Sequence, residues 1–285
     1  MTARGRKHES WITKHALPIY FVLAAAFSWA VEIPLALNAR GVTWCPAPLS
    51  VHYLAGYGPM LAAIVTTALT EGRAGLRELL RRMWKWRVRP IWWAFALSPL
   101  LLFSLIVLIE PAQGGLSALR RLGEVDAVPT LGLLALPFWF VTFGIGEETG
   151  WRGFALPRLQ SRHTALGATV ILWVGWATWH LPMFFYLYEP VVAPGMVLGL
   201  LAGAIALTWL FNSTGGSALL AALWHSTFNL TTACTSCKIG VEPAILSAAV
   251  MAWAVVVVIL FKPASLSKAR KHVYPQRDER IGVPS

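Results

Sequence analysis

An all-α, multi-pass membrane fold with about eight transmembrane helices is what this sequence predicts, from three observations. Of its 285 residues, 56% are hydrophobic and only 13% are charged, about half the charged fraction usual for a soluble domain. Apolar stretches long enough to cross a bilayer recur along the whole chain, leaving no room for a separate soluble domain. The cations, finally, fall unevenly between alternate loops. The spans lie at about 16–37, 49–70, 90–110, 131–150, 166–187, 193–212, 215–233 and 242–261.

Cation placement orients these spans with both termini in the cytoplasm. Counted that way, the inner side holds Arg4, Arg6, Lys7 and Lys14, then Arg73, Arg77, Arg81, Arg82, Lys85, Arg87 and Arg89. Arg152, Arg158 and Arg162 join them, as do Lys262, Lys268, Arg270, Lys271, Arg277 and Arg280. Only Arg40, Arg120, Arg121 and Lys238 fall outside, a split of 20 to 4 that satisfies the positive-inside rule. The net charge of +11 is then explained by an anionic inner leaflet, with no nucleic-acid partner. The first apolar run continues past Pro34 to Leu37, longer than the core of a cleavable signal, and is read as a retained span.

Residues 1–15 form a basic cytoplasmic N-terminus, 16–262 one membrane domain with its polar core at about 131–233, and 263–285 a polar, disordered cytoplasmic tail. Between Gly72 and Pro90, Leu76, Leu79, Leu80, Met83 and Trp84 alternate at helical spacing with Arg77, Arg81, Arg82 and Lys85. This pattern suits a helix lying in the inner interface, as a surface anchor or a substrate-docking element. Residues 111–129, with Gly114-Gly115, read as an outer loop. Three cysteines, Cys45, Cys234 and Cys237, are too few for a disulfide framework. Cys234 and Cys237 either form a local disulfide near the outer face or stay unbonded.

The chemistry is concentrated in the fourth, fifth and seventh spans. Glu147 and Glu148 interrupt apolar sequence, where carboxylates are costly and usually paired, inward-facing and functional. Glu148 and Arg152 are spaced i,i+4 in the favourable order, so the guanidinium can neutralise that carboxylate. Glu147 points about 100° away and lacks that cation, leaving it free to act as a general base. Trp176 with His180, and His225 with Asn229, form two further i,i+4 pairs, each on one helix face. His180 and His225 lie about 15–20 Å from the cytoplasmic ends of their spans. Glu147 reaches that level if its helix starts near Ala135 and continues through Arg152 toward Pro157.

Together these residues suggest that Glu147 and His180 activate a water, while His225 and Asn229 stabilise the oxyanion of a tetrahedral intermediate. No serine or cysteine nucleophile is paired with a base, and no Gly-Xaa-Ser-Xaa-Gly turn is present. Direct water activation needs no cofactor. The alternative is zinc bound by Glu147, His180 and His225, although the His-Glu-Xaa-Xaa-His signature is absent.

With these residues in place, the chain resembles the CAAX prenyl endopeptidase and bacteriocin-processing (abortive-infection-like) intramembrane proteases. Glu147-Glu148-Thr149-Gly150-Trp151-Arg152 matches that family's first motif, Glu-Glu-Xaa-Xaa-Xaa-Arg, and His225-Ser-Thr-Phe-Asn229 its third, His-Xaa-Xaa-Xaa-Asn. The second, usually Phe-Xaa-Xaa-Xaa-His, appears as Trp176-Ala-Thr-Trp-His180, with Trp in place of Phe. The resemblance implies an eight-helix membrane fold and glutamate-dependent peptide cleavage within the bilayer. It assigns Glu147 and His180 to water activation and His225 and Asn229 to the oxyanion, with Glu148, Arg152 and Trp176 in support. Some members of the family are described as metalloproteases and others act in bacteriocin immunity or regulation.

The expectation is therefore an endopeptidase of the inner cell membrane acting on a membrane-associated protein or peptide. A non-catalytic immunity or regulatory protein using the same cavity is the alternative. A proton-coupled transporter is disfavoured, because inverted repeats and paired broken helices are missing.

Overall fold

Among the described residues, helical rods follow one another along the chain near the positions of the apolar stretches. The computed structural model describes residues 11–42, 45–109, 115–235 and 241–274, with no β-strand among them. After a single turn at Trp11–Lys14, α1 runs over Ala16–Ala39. A 3-10 segment, Leu49–Tyr57, leads into α2, Gly58–Met83. The third rod is bent by 61° between α3, Pro90–Ala96, and α4, Ser98–Ile109. The fourth is segmented and the last four are α8, Ala165–Trp179; α9, Ala193–Ser213; α10, Ala218–Thr232; and α11, Glu242–Ser265.

By length and apolarity five of these helices can cross a membrane, or six if the bent α3–α4 pair is one span. α10 has only 15 residues, about 22 Å of helix. The fourth rod starts at Ala135, where the depth argument requires it, and stays helical to Gln160. It is not a uniform α-helix, however. α5, Ala135–Trp139, passes through a π-helical stretch, Phe140–Ile145, into α6, Gly146–Glu148. A second π stretch, Thr149–Ala155, leads to α7, Leu156–Gln160. Wide π turns inside helices often occur at functional sites.

Close packing surrounds this segmented rod. A Cβ on Gly146 would lie 2.4 Å from the Gly56 carbonyl oxygen, and one on Gly150 would lie 2.4 Å from the Tyr20 hydroxyl. Glycine at these two positions lets α1, α2 and the preceding 3-10 segment approach the motif, as small residues do between membrane helices. The main core joins the rod to its neighbours through Tyr20, Trp151, Phe154, Leu172, Trp176, Trp179 and Leu207.

Loop ends meet as alternating rods require. At one end Lys85 Nζ donates to the Gly215 carbonyl, Ser217 Oγ to the Lys85 carbonyl, and Arg158 pairs with Glu71. At the other ends of these rods Tyr53 Oη donates to the Asp126 carbonyl and Arg121 pairs with Glu242 at 2.9 Å.

The structure refines three expectations. The amphipathic segment is helical as expected, set off from the first part of α2 by a kink at Gly72 (φ 64°) and ending at Met83. Its Arg82 is buried, donating to the Gly153 carbonyl at 2.7 Å and pairing with Glu78 at 3.0 Å, while Leu80 and Trp84 are exposed. Second, the tail is ordered as far as Tyr274. His272 N donates to Asn212 Oδ1, Gln160 Nε2 to the His272 carbonyl, and Tyr274 N to the Pro157 carbonyl. Backbone groups satisfied this way stay docked, which sequence polarity does not reveal. Third, the outer loop contains a 3-10 helix, Gly115–Gly123. The question whether Cys234 and Cys237 are bonded turns on Cys237, which lies outside the described residues, as does the tail beyond Tyr274.

Candidate active site

Glu147 and Glu148 sit between the two π stretches and are both buried. Glu148 Oε1 accepts from Arg152 Nη1 at 2.8 Å, so the expected i,i+4 ion pair forms, fully enclosed. The same oxygen accepts from His225 Nδ1 at 2.9 Å. Glu148 thus has two tasks where its spacing from Arg152 suggested one. The arginine is held further by its stacking over Trp176, 4.8 Å from the ring centroid.

Glu147 makes a different set of contacts. No ion pair reaches it among the described residues. Instead, two indole N–H groups converge on its Oε2: Trp151 Nε1 at 3.0 Å and Trp176 Nε1 at 2.6 Å. Both donors are neutral, so they fix the carboxylate's orientation without cancelling its charge, and Oε1 remains open.

His180 is placed by a helix end. Pro182 cannot continue an α-helix, and α8 stops at Trp179 before a 3-10 turn, Leu181–Phe185. The start of α8 is capped by Thr164, whose hydroxyl accepts from Gly167 N. His180 Nδ1 lies 2.8 Å from the Trp176 carbonyl. A carbonyl only accepts, so Nδ1 carries the proton and Nε2 presents a lone pair. Trp176 therefore links both histidines to Glu147: its carbonyl orients His180, its indole holds Glu147, and its ring lies edge-on to His225, 5.5 Å between centroids.

His225 and Asn229 lie on α10, which begins at the N-cap Ser217. Because Nδ1 of His225 donates to Glu148, only its Nε2 can meet a substrate. That nitrogen donates when the ring carries both protons. Asn229 is half-buried one turn further on, with no side-chain hydrogen bond among the described residues. The structure thus brings Glu147, Glu148, Arg152, Trp176, His180 and His225 into one contact network and leaves Asn229 beside it.

As placed, these residues do not suit zinc. Among the described residues no three of His, Cys, Asp and Glu are grouped to hold an ion, and Glu147 Oε2 is already occupied by two N–H donors. Glu147, His180 and His225 are neighbours without being a ligand cage.

Some site residues escaped the sequence reasoning. Trp151 lies four residues after Glu147, and that spacing alone places both on one face. His52, from the 3-10 segment, meets Tyr186 Oη through Nδ1 at 2.7 Å; a lone histidine 95 residues upstream of Glu147 carries no such signal. Glu32, buried in α1, is the third carboxylate of the region.

Residues 129–231, which contain all three motifs, match the family described as type II CAAX prenyl endopeptidase Rce1-like. The chain is also 28% identical over 188 residues to CAAX prenyl protease 2 of Methanococcus maripaludis, covering 60% of this chain and 67% of that one. Several helices able to cross a bilayer, three motifs in order and these two matches lead to one conclusion: the motif-bearing part of the chain is similar to the type II CAAX prenyl endopeptidases, and the protein is a multi-pass intramembrane endopeptidase with a protein or peptide substrate.

Proposed function

We infer that this protein hydrolyses a peptide bond of a membrane-associated protein or peptide, with Glu147 and His180 activating the attacking water. The observation that carries the reading is the state of Glu147, a buried carboxylate held on one oxygen by two neutral N–H donors and in no ion pair among the described residues.

Glu147 Oε1 takes the proton of a water that also donates to the bare Nε2 of His180, and the resulting hydroxide attacks the scissile carbonyl. Negative charge develops on the carbonyl oxygen. Nε2–H of His225 and the side-chain amide of Asn229 donate to it. Glu147 then returns its proton to the leaving nitrogen as the C–N bond breaks. Glu148 keeps Nδ1 of His225 occupied, directing Nε2 to the substrate, and Arg152 offsets the added negative charge. No cofactor enters these steps.

The substrate end is proposed from the name of the archaeal relative, a CAAX prenyl protease, which makes a peptide ending in a prenylated cysteine tripeptide the first probe. The protein is placed in the inner cell membrane with both termini and the basic loops facing the anionic cytoplasmic leaflet. A quenched fluorogenic peptide with a farnesylated Cys-aliphatic-aliphatic-Xaa end, offered to protein in lipid nanodiscs, tests the reading. Wild type should cleave it. Glu147→Gln should fold and insert normally, yet cleave nothing; full proteolysis by that variant would sink the assignment.

A further inference from the structure

α1 buries one face along Tyr20, Ala24, Ser28, Glu32 and Leu35. Two contacts lock that helix to the active-site elements: Ser28 Oγ donates to the Ala55 carbonyl at 2.7 Å, and Trp29 Nε1 to the Trp179 carbonyl, next to His180, at 3.1 Å. One turn beyond Ser28, the Glu32 side chain is fully enclosed, and neither carboxyl oxygen has a hydrogen-bond partner among the described residues. Glu147, Tyr186 and Tyr188 lie within electrostatic range of it. Its height also fits. Glu32 is 16 residues into α1 and His180 is 15 beyond the start of α8, so both lie about 22–24 Å along their helices.

A carboxyl group buried without a donor is costly, and leucine at this position would avoid the cost. The missing partner is one that the substrate can bring. A peptide segment in a bilayer is apolar in its side chains, and its backbone N–H groups are satisfied by its own helix. Cleavage requires that helix to unwind around the scissile bond, which frees N–H groups where no water replaces the lost bonds. We propose that Glu32 is a substrate-binding residue of the active site, its open carboxyl oxygens accepting a backbone N–H of the unwound peptide. Glu147 cannot fill this role on Oε2, which two indoles occupy, and its Oε1 is committed to the water. The proposal rests on the peptidase reading above and specifies how that site holds its substrate.

Binding is measured with the farnesylated peptide in the Glu147→Gln background, where no cleavage intervenes. Failure of wild type to cleave would sink the peptidase reading and leave this measurement intact. Glu32→Ala should weaken binding by roughly three- to ten-fold, the loss typical of a single neutral hydrogen bond. Glu32→Gln, which retains one acceptor oxygen, should lose less. A series of peptides with single non-scissile amides replaced by esters removes one N–H at a time. One ester should weaken binding to the parent and have no effect in Glu32→Ala. Ester penalties identical in both proteins would overturn the proposal. So would equal losses in the Ala and Gln variants without dependence on ester position, because Glu32 would then be meeting a cation. Unchanged melting temperatures in detergent separate either result from misfolding.

Discussion

Trp176 donates its indole N–H to Oε2 of Glu147 at 2.6 Å, joining two helices across 29 residues of sequence. The family's second motif usually has phenylalanine here, which keeps an aromatic face and donates nothing. The tryptophan therefore supplies a contact that the motif pattern alone does not require. Together with Trp151, it holds the carboxylate from one side and leaves the other open.

Trp176→Phe should accordingly lower kcat by about ten-fold, the lower end expected for losing a hydrogen bond to a charged group. The phenyl ring still fills much of the space under Arg152, so the melting temperature should change little. Trp151→Phe should act in the same direction, and the double variant should lose more than either alone, because both donors orient one oxygen. Steady-state kinetics beside thermal unfolding checks this; a fall in stability without a fall in kcat would make the indoles packing elements only.

Glu148 serves Arg152 and His225 through one oxygen, and all three are buried. Removing one partner of such a group leaves an uncompensated charge, a loss of roughly 3–5 kcal/mol when burial is complete. Arg152→Ala and Glu148→Ala should both lower the melting temperature or the yield of folded protein. Glu148→Ala should also reduce kcat, because His225 loses the acceptor that fixes its Nδ1 proton. Glu148→Gln, which still accepts from Nδ1, should recover part of that kcat. Unchanged stability in both alanine variants would contradict the pairing.

The polar residues of the site were legible because apolar sequence makes them conspicuous: Glu147, Glu148, Arg152, His180 and His225 stand out from their spans, and i,i+4 spacing assigned the Glu148–Arg152 pair correctly. What spacing cannot show is contact between helices. His225 meets Glu148 across 77 residues, and Trp176 was visible only as a neighbour of His180. The π turns were also hidden, since they depend on tertiary packing around Gly146 and Gly150 as much as on local propensity. Glu32 is one acid in a long apolar span, and nothing near it in sequence marks it. Arg82 was misread because helical periodicity says which face a side chain takes but not that the second π stretch, through Gly153, and the tail, through Tyr274, cover that face.

The docked tail carries a pH dependence. Burial pushes the His272 imidazole down to about 4, helped by Arg82, Lys85 and Arg81 and opposed in part by Glu78. Released from its site, the same ring titrates near 6.5. Below that value the undocked tail binds a proton that the docked tail resists, so docking is at full strength above about pH 6.5 and weakens as pH falls toward about 4. Hydrogen-exchange protection of the His272 and Tyr274 amides, corrected for intrinsic rates, should decline over that window. His272→Asn should flatten the decline; an equal decline in that variant would assign it to neighbouring carboxylates.

Metal dependence separates the two chemistries weighed for Glu147, His180 and His225. If water is activated directly by Glu147 and His180, exhaustive treatment with a membrane-permeant zinc chelator should leave kcat unchanged. A stoichiometric metal in purified active protein, with activity lost on its removal and restored by zinc, would establish the ligand reading instead.

The last prediction concerns His225 and Asn229, one turn apart on α10. A donor to the oxyanion interacts more strongly with the transition state than with bound substrate, so its loss falls on kcat and not on KM. Asn229→Ala should slow turnover by about 10²–10³, the usual effect of deleting one oxyanion donor. His225→Ala should cost at least as much. It also removes the Nδ1 donor to Glu148, and Arg152 would then bear the whole of that carboxylate, so a lower melting temperature should accompany the kinetic loss. Asn229→Ala has no such bond to break and should melt like the wild type. Since both groups serve one oxygen, the double variant should lose less than the product of the two single effects. A rise in KM alone, or a loss of stability in Asn229→Ala with kcat intact, would return this pair to interhelical packing.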